Sequence, residues 1–390
     1  MENRFRLPVV EDVEPRLASV DKDGVATNVF YDKNKKGDFF ATKRAGITTY
    51  ISGSGLASGI FGWNDQVFNF NDPISSWPCI VWNGSIFCAI HRKYTNIGYV
   101  DVSIVSTDGI NWTMGNLPAE GLWAHLAWNG TVFCAVGYNP DTSTYLIATS
   151  TDGKTWTQRT SPSSSQWIGV AANTTTGRLV IVSVSGTSAY STDNGASWSV
   201  GGTFGGGFGA PFGQPIAWNA GAGLFAVIGG GNSAVVYTSI DGTAWTSRTT
   251  DSIGKRCIIS NSTTFVVFPY NSGTTGYTST NGITWNSMTV SSGTIWRGSW
   301  TGSLFLGVGN AGTVIYSSNG TSWTSLSNIY ITDPSYTYFD YPYSIAGNAS
   351  TIVSLVYGEV AFQHYATFPV DMSSYTQNDL NLNYPFPSVS

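Results

Sequence analysis

Catalysis by a pair of carboxylates is the first chemistry to weigh, because glycoside hydrolysis needs only two acids placed across one bond. Asp101, Glu120 and Asp141 are the available set. Nothing in their spacing selects a pair, so exposed loop charges are the expectation. Glutamate occurs only at positions 2, 11, 14, 120 and 359, which leaves the middle of the chain almost without that residue. His91, His125 and His364 are scattered. Cys88 and His91 fall three apart on one expected strand and so face opposite sides, which bars a shared metal. No Gly-rich phosphate loop leads into a helix, and no nucleophile elbow occurs. The expectation is a chain that is not an enzyme, with no catalytic residue, no cofactor and no metal site.

Aromatic residues give a better lead for binding. Trp77, Trp123, Trp167 and Trp296 stand just before short apolar strands, with Phe212 in the comparable place. Their faces could stack on a sugar or on a neighbouring subunit, and Arg92, Lys93 and Arg297 are expected at the same end. These Trp, Arg and Lys residues form the candidate binding face. Packing in a core is the competing reading.

The elements that must position them follow from one phrase, Ser150-Thr151-Asp152-Gly153-Lys154-Thr155-Trp156. It returns at 106–112, 191–198, 239–245, 279–285 and 317–323. Its tryptophans are Trp112, Trp156, Trp198, Trp245, Trp285 and Trp323; successive differences are 44, 42, 47, 40 and 38 residues. A period of that size signals stacked repeats. The acid of the phrase, Asp108, Asp152, Asp193 or Asp241, becomes Asn281 and Asn319 in the last two copies. The swap keeps the acceptor and drops the charge, so the residue reads as turn chemistry. A tight reversal takes a Gly with positive φ, and the Trp then restarts a strand.

Each repeat opens with a short apolar strand, turns at an Asn-Gly-like corner, and returns as a second strand with Phe near its start. Trp82-Asn83-Gly84-Ser85-Ile86-Phe87 is one example. A third strand leads into the phrase and a fourth leaves it, which makes one four-stranded antiparallel blade. Corners near positions 82, 128, 173, 218, 261, 300 and 348 predict an all-β, seven-bladed β-propeller over residues 38–364. The seventh repeat lacks the phrase, so residues 38–71 are expected to close the ring with the last blade. Residues 1–37 read as an N-terminal docking arm of interspersed charge, and 365–390 as an extended C-terminal arm.

Charged residues are 11% of the chain and the net charge is −5, which argues against a basic, sequence-specific nucleic-acid surface. No apolar run is long enough to span a bilayer, and Met1 to Pro8 has no hydrophobic core of a signal peptide. Synthesis without export, and hence reduced thiols, is expected. If Asn83-Gly84 is a two-residue turn, Cys79 and Cys88 lie opposite each other, close enough to bridge.

The recurring phrase resembles the Asp-box, or BNR repeat, of sialidases and other β-propellers, of general form S-x-D-x-G-x-x-W. Only 191–198 has that length; the other five copies omit the residue before Gly. The resemblance implies a structural fastener. Phe5-Arg6-Leu7-Pro8 also resembles the F-R-I-P start of sialidases, in which Arg6 would clamp a substrate carboxylate. It stands about a hundred residues before the first box, and a sialidase also needs two more clamping Arg and a Tyr–Glu pair.

Phe5-Arg6-Leu7-Pro8, Asn28-Val29-Phe30 and Lys43-Arg44-Ala45-Gly46-Ile47 together resemble the start of nozzle-type tail proteins of short-tailed bacteriophages, with Ala45 where Pro is common. That resemblance implies a virion structural protein, made in the host cytoplasm. It would be a homo-oligomer, a six-fold ring about the tail axis, gripping other virion tail proteins through its two arms. The alternatives are a carbohydrate-binding module that reads a host surface glycan through the aromatic face and, more remotely, a sialidase-like hydrolase.

Overall fold

The computed structural model describes residues 30–33, 39–43, 47–51, 61–63, 66–68, 75–95, 98–109, 112–205, 213–229, 233–250, 254–270, 273–290, 294–310, 313–326, 341–348, 351–357 and 362–365. Their strands fall into two compact units. The first holds β1 (Phe30–Lys33), β2 (Phe39–Lys43) and β3 (Ile47–Ile51) as an antiparallel sheet in that order, and the hairpin of β4 (Phe61–Trp63) with β5 (Gln66–Phe68). Lys43 pairs with Ile47, so the ends of the Lys43–Ile47 stretch join β2 to β3.

The second unit begins its strands with β6 (Ser75–Trp82), which moves the start of the propeller from the expected residue 38. The first blade is β6, β7 (Phe87–Thr95), β9 (Val102–Ser106) and β10 (Thr113–Asn116), with the short β8 (Gly98–Val100) paired to β7. The second is β11 (Leu122–Trp128), β12 (Phe133–Asn139), β13 (Thr144–Ser150) and β14 (Thr157–Arg159). The third is β15 (Trp167–Asn173), β16 (Arg178–Ser183), β17 (Thr187–Ser191) and β18 (Ser199–Thr203). The fourth is β19 (Ile216–Asn219), β20 (Leu224–Ile228), β21 (Val235–Ser239) and β22 (Thr246–Thr249). The fifth is β23 (Lys255–Ser260), β24 (Phe265–Pro269), β25 (Thr275–Ser279) and β26 (Asn286–Thr289). The sixth is β27 (Ile295–Trp300), β28 (Phe305–Gly309), β29 (Val314–Ser317) and β30 (Thr324–Leu326).

Six blades, not seven, is therefore the count. The seventh corner exists at Asn348, where Oδ1 accepts the Thr351 N–H at 2.8 Å. Its strands β31 (Tyr341–Gly347), β32 (Ile352–Tyr357) and β33 (Phe362–Tyr365) form a three-stranded segment that shares the first blade's sheet through Tyr357 and Ser76. A corner needs only one acceptor side chain, whereas a fourth strand needs the turn that launches it, and this segment has no Ser-x-Asp/Asn-Gly phrase. β31 packs between β27 and β6. The described strands of 38–71 pair among themselves. The expected arms at 1–37 and 365–390 lie outside the described residues, apart from β1 and the last residue of β33.

The core sits between blades. Second strands are buried along their length, as in β24 and β28, because a neighbouring blade covers each face. Outer strands such as β22 are exposed and rich in Thr, Ser and Arg, residues that keep an open edge soluble. At the corners the last Trp of the first strand packs on the first Phe of the second, with ring centroids 4.5 to 4.6 Å apart for Trp82–Phe87, Trp128–Phe133, Trp218–Phe225 and Trp300–Phe305.

Corner length decides the cysteines. Asn83 Oδ1 accepts the N–H groups of Ser85 and Ile86 at 2.9 and 2.8 Å, and Asn83 N–H donates to Ile86 O at 3.1 Å. The corner thus spans four residues. Val81 then pairs with Cys88, and Cys79 with Ile90, which corrects the Cys79–Cys88 apposition drawn from a two-residue turn. Cys79, Cys88, Cys134 and Cys257 are free and buried.

Candidate functional site

Six turns carry the recurring phrase, and their chemistry is spent on the backbone. Ser Oγ accepts the Gly N–H at 2.8 Å in every copy, from Gly109, Gly153, Gly195, Gly242, Gly282 and Gly320. The same hydroxyl donates to the acid or amide oxygen, as from Ser150 to Asp152 Oδ1 at 2.9 Å. Asp152 Oδ1 then accepts the N–H groups of Lys154 and Thr155, both at 2.8 Å. Asn281 and Asn319 accept from their own pairs at 2.9 Å, so the amide does the acid's work. Trp112, Trp156, Trp198 and Trp323 close their turns by donating Nε1–H to the Gly carbonyl at 3.0 to 3.1 Å. Trp245 Nε1 donates instead to Ser188 of the preceding blade at 2.9 Å, and Trp285 Nε1 has no partner.

The longer copy is explained by one residue. Asn194 sits at φ 59°, a region Asn tolerates better than most residues. Its Oδ1 accepts from Asn129 Nδ2 of the second blade at 2.8 Å. Asp193 now reaches Ser197, four residues on, through both its N–H and its hydroxyl.

Partial burial works against charge on these carboxyls, but the hydrogen bonds outweigh it. Asp152 and Asp241 are held below the usual carboxylate range, and Asp193 is drawn down to about 2, with Ser197 its strongest support. Groups so firmly ionised accept hydrogen bonds; they do not deliver protons near neutrality.

The turns also join blades. Gly153 O accepts from Ser103 Oγ of the first blade at 2.8 Å, and Trp156 Nε1 reaches the same hydroxyl at 3.0 Å. Gly242 O and Ser188 repeat the contact between the third and fourth blades.

The second polar concentration lies at the axis. Counting back four residues from each corner gives Cys79, His125, Gly169, Pro215, Cys257, Arg297 and Ser344 (83 − 4, 129 − 4, 173 − 4, 219 − 4, 261 − 4, 301 − 4 and 348 − 4). An irregularity of register falls next to this position in β6, β11, β15, β23, β27 and β31. Such bulges re-aim side chains. Arg297 Nη2 donates to Ala124 O at 3.2 Å, reaching from the sixth blade to the second, across the ring. His125 Nδ1 lies 3.1 Å from Val170 O, and Cys79 Sγ donates to Leu126 O at 3.6 Å.

Burial, then the Arg297 charge, holds His125 well below the usual imidazole value. Burial pushes the Cys79 thiol up, and the Cys257 thiol up to about 12, against the pull of the same guanidinium.

The fold is that of a β-propeller. Solved structures of YCF48 bound to D1 peptide and of YCF48 from Cyanidioschyzon merolae resemble the chain. The first has a TM-score of 0.55 at 13% identity, covering 76% of this chain and 95% of that one. The second has a TM-score of 0.52 at 15% identity, covering 74% and 95%. At those identities the likeness is one of fold alone. No protein-family description and no curated protein matches the chain.

Of the residues expected to form a binding face, the structure describes the side chains of Trp123, Trp167, Trp296 and Arg297. Trp123 and Trp167 are fully buried, donating Nε1–H to Ala119 O at 3.0 Å and to Ser161 Oγ at 2.9 Å. Neither offers a ring face to a sugar. Trp296 is half-buried. Trp77, Arg92 and Lys93 lie on β6 and β7, where Arg92 pairs with Ser76 and Lys93 with Ser75; their side chains, like Phe212 and the Phe5–Pro8 stretch, fall outside the described residues. Arg297 is present but turned inward. Glu120 and Asp141 are exposed, and Asp101 is half-buried. Arg159 and Arg248 each donate Nε–H to a Thr Oγ1 on the neighbouring strand, at 2.8 and 3.1 Å. Sequence reasoning missed the set formed by His125, Cys79 and Cys257; the signal was a shared place before the corner, hidden by unlike residue types.

Proposed function

We propose that the chain is a structural protein of a bacteriophage tail, a nozzle- or hub-type propeller that works by protein contacts and not by catalysis. One observation carries this reading. The acids and amides that recur through the chain, from Asp152 to Asn319, are spent on backbone N–H groups of their own turns. A molecule whose repeated polar chemistry fastens its own strands is suited to be a rigid block.

The tail assignment rests on the Asn28-Val29-Phe30 and Lys43–Ile47 stretches, which lead into β1 and join β2 to β3 in a unit separate from the blades. A propeller of like fold bound to a peptide gives precedent for gripping a protein segment. On this reading residues 1–37 and 365–390 hold neighbouring tail proteins, the copies form a ring, six-fold by preference, and the protein is made in the host cytoplasm without a signal peptide.

Electron microscopy of the purified full chain, with antibody labelling of phage particles, tests the proposal. Rings, and label on the tail, are expected. A strict monomer with no particle-bound label would overturn it. A glycan-array signal lost on Trp296→Ala would favour the host-glycan reader instead, and turnover of a sialoside would revive the hydrolase.

A further inference from the structure

Arg297 is 2% exposed, and only Nη2 has a hydrogen-bond acceptor. Nε and Nη1 have none. A guanidinium stays charged inside proteins, and a buried charge without a partner is strongly destabilising. Its neighbours bring no compensating charge. Cys79 and Cys257 are protonated thiols, burial keeps His125 neutral, and among the described residues Arg297 makes no ion pair with a carboxylate. His125 is 4% exposed, and its Nε2 also lacks a partner. His125 Nδ1 is engaged with the Val170 backbone, 3.1 Å from its O and 3.3 Å from its N.

We propose that the axis holds one small monovalent inorganic anion, of the chloride class, against Nε and Nη1 of Arg297. The charge balance asks for one negative charge, and the unpaired donors ask for an acceptor that takes several N–H groups at once. Near-complete burial of both side chains leaves no face for a peptide or a sugar, so a single ion is the occupant that suits the place. The ion would lock an inner strand of the sixth blade to one of the second through the guanidinium that already spans them.

The test uses the full chain. Thermal unfolding is followed as chloride replaces gluconate, a much larger anion, at constant ionic strength. A saturable rise in Tm is expected for the native protein, because a ligand bound only by the folded state stabilises it. Arg297→Lys should raise the half-saturating chloride concentration at least tenfold, and Arg297→Met should abolish the dependence. Bromide-soaked crystals of the native protein give an independent reading if Arg297→Met does not fold. An anomalous peak against Nε and Nη1 supports the site. Equal Tm in chloride and gluconate, or bromide crystals without a peak at Arg297, would overturn it.

Discussion

In the turns, Ser150 Oγ, Asp152 Oδ1 and Trp156 Nε1 all find partners within their own loop, whereas at the axis Arg297 and His125 leave three nitrogens without one. From Asp152 to Asn319 the turn residue has a backbone to satisfy, so its identity is confined to Asp or Asn. The axial residue has no such duty and changes from copy to copy through Cys, His, Gly, Pro, Arg and Ser. Repetition marks scaffolding here, and the position that varies is where individual chemistry is lodged.

The strongest way to break this contrast is to strain a turn. Gly153 has φ +71°, and a Cβ there would stand 2.7 Å from Val105 Cγ1 and 2.8 Å from Cys88 Sγ, both in the preceding blade. Gly153→Ala should therefore cost about 3–4 kcal/mol, from left-handed strain plus overpacking. Gly84 has φ +102° with nothing within 4 Å, so Gly84→Ala should cost only the strain, about 1–2 kcal/mol. Urea unfolding of the two variants measures the gap; equal losses would show that the turns do not clamp adjacent blades.

Next in size is Ser150→Ala, which strands the buried Gly153 N–H and should cost about 2 kcal/mol. Asp152→Asn should stay within about 0.5 kcal/mol of the native protein, since Asn281 and Asn319 make the same bonds. A large loss in Asp152→Asn would mean that the charge, not the acceptor, matters.

Turns and corners were legible in the sequence because their bonds are local: Asn83 to Ile86 and Asp152 to Thr155 are each three residues apart. Blade number was less so. The Asn348 corner reads like the others, yet what makes a blade is the strand launched after the third, and no turn phrase follows β33. The pairing of Cys79 failed over two residues of loop length, since an Asn-Gly pair can serve a two-residue turn or, as here, begin a corner of four. The axis was hidden for another reason. Arg297 and Ala124 are 173 residues apart, and no local pattern reports a contact made across a ring.

Acid should act on both regions: His125, held neutral by burial, makes the axis lose stability as pH falls below the unfolded imidazole value of about 6.5, and the turns respond at lower pH. The Asp152, Asp193 and Asp241 carboxyls are held below their unfolded range, so their contribution is present above about pH 3.9 and is lost as pH falls through the folded values, to about 2 for Asp193. Solvent screens these partly exposed groups and keeps the effect modest. Tm should decline between about pH 4 and 2, and replacing all three by Asn should flatten that limb. An unchanged slope would move the acid-sensitive groups elsewhere.

The smallest expected effect compares the cysteines. The thiolate is the reactive form, and burial raises all four thiols, with Asp152 and Cys79 pushing Cys88 further and Arg297 drawing Cys79 and Cys257 part of the way back. The native protein should therefore resist iodoacetamide, and the unfolded chain should take up four equivalents. In sub-denaturing urea the axial pair should label first. Cys79 and Cys257 lie on inner strands beside the axis, whereas Cys88 and Cys134 lie on second strands, fully buried between blades. Peptide mass mapping reads the order, and labelling of all four at the global midpoint would show the axis to be as firmly closed as the rest of the ring.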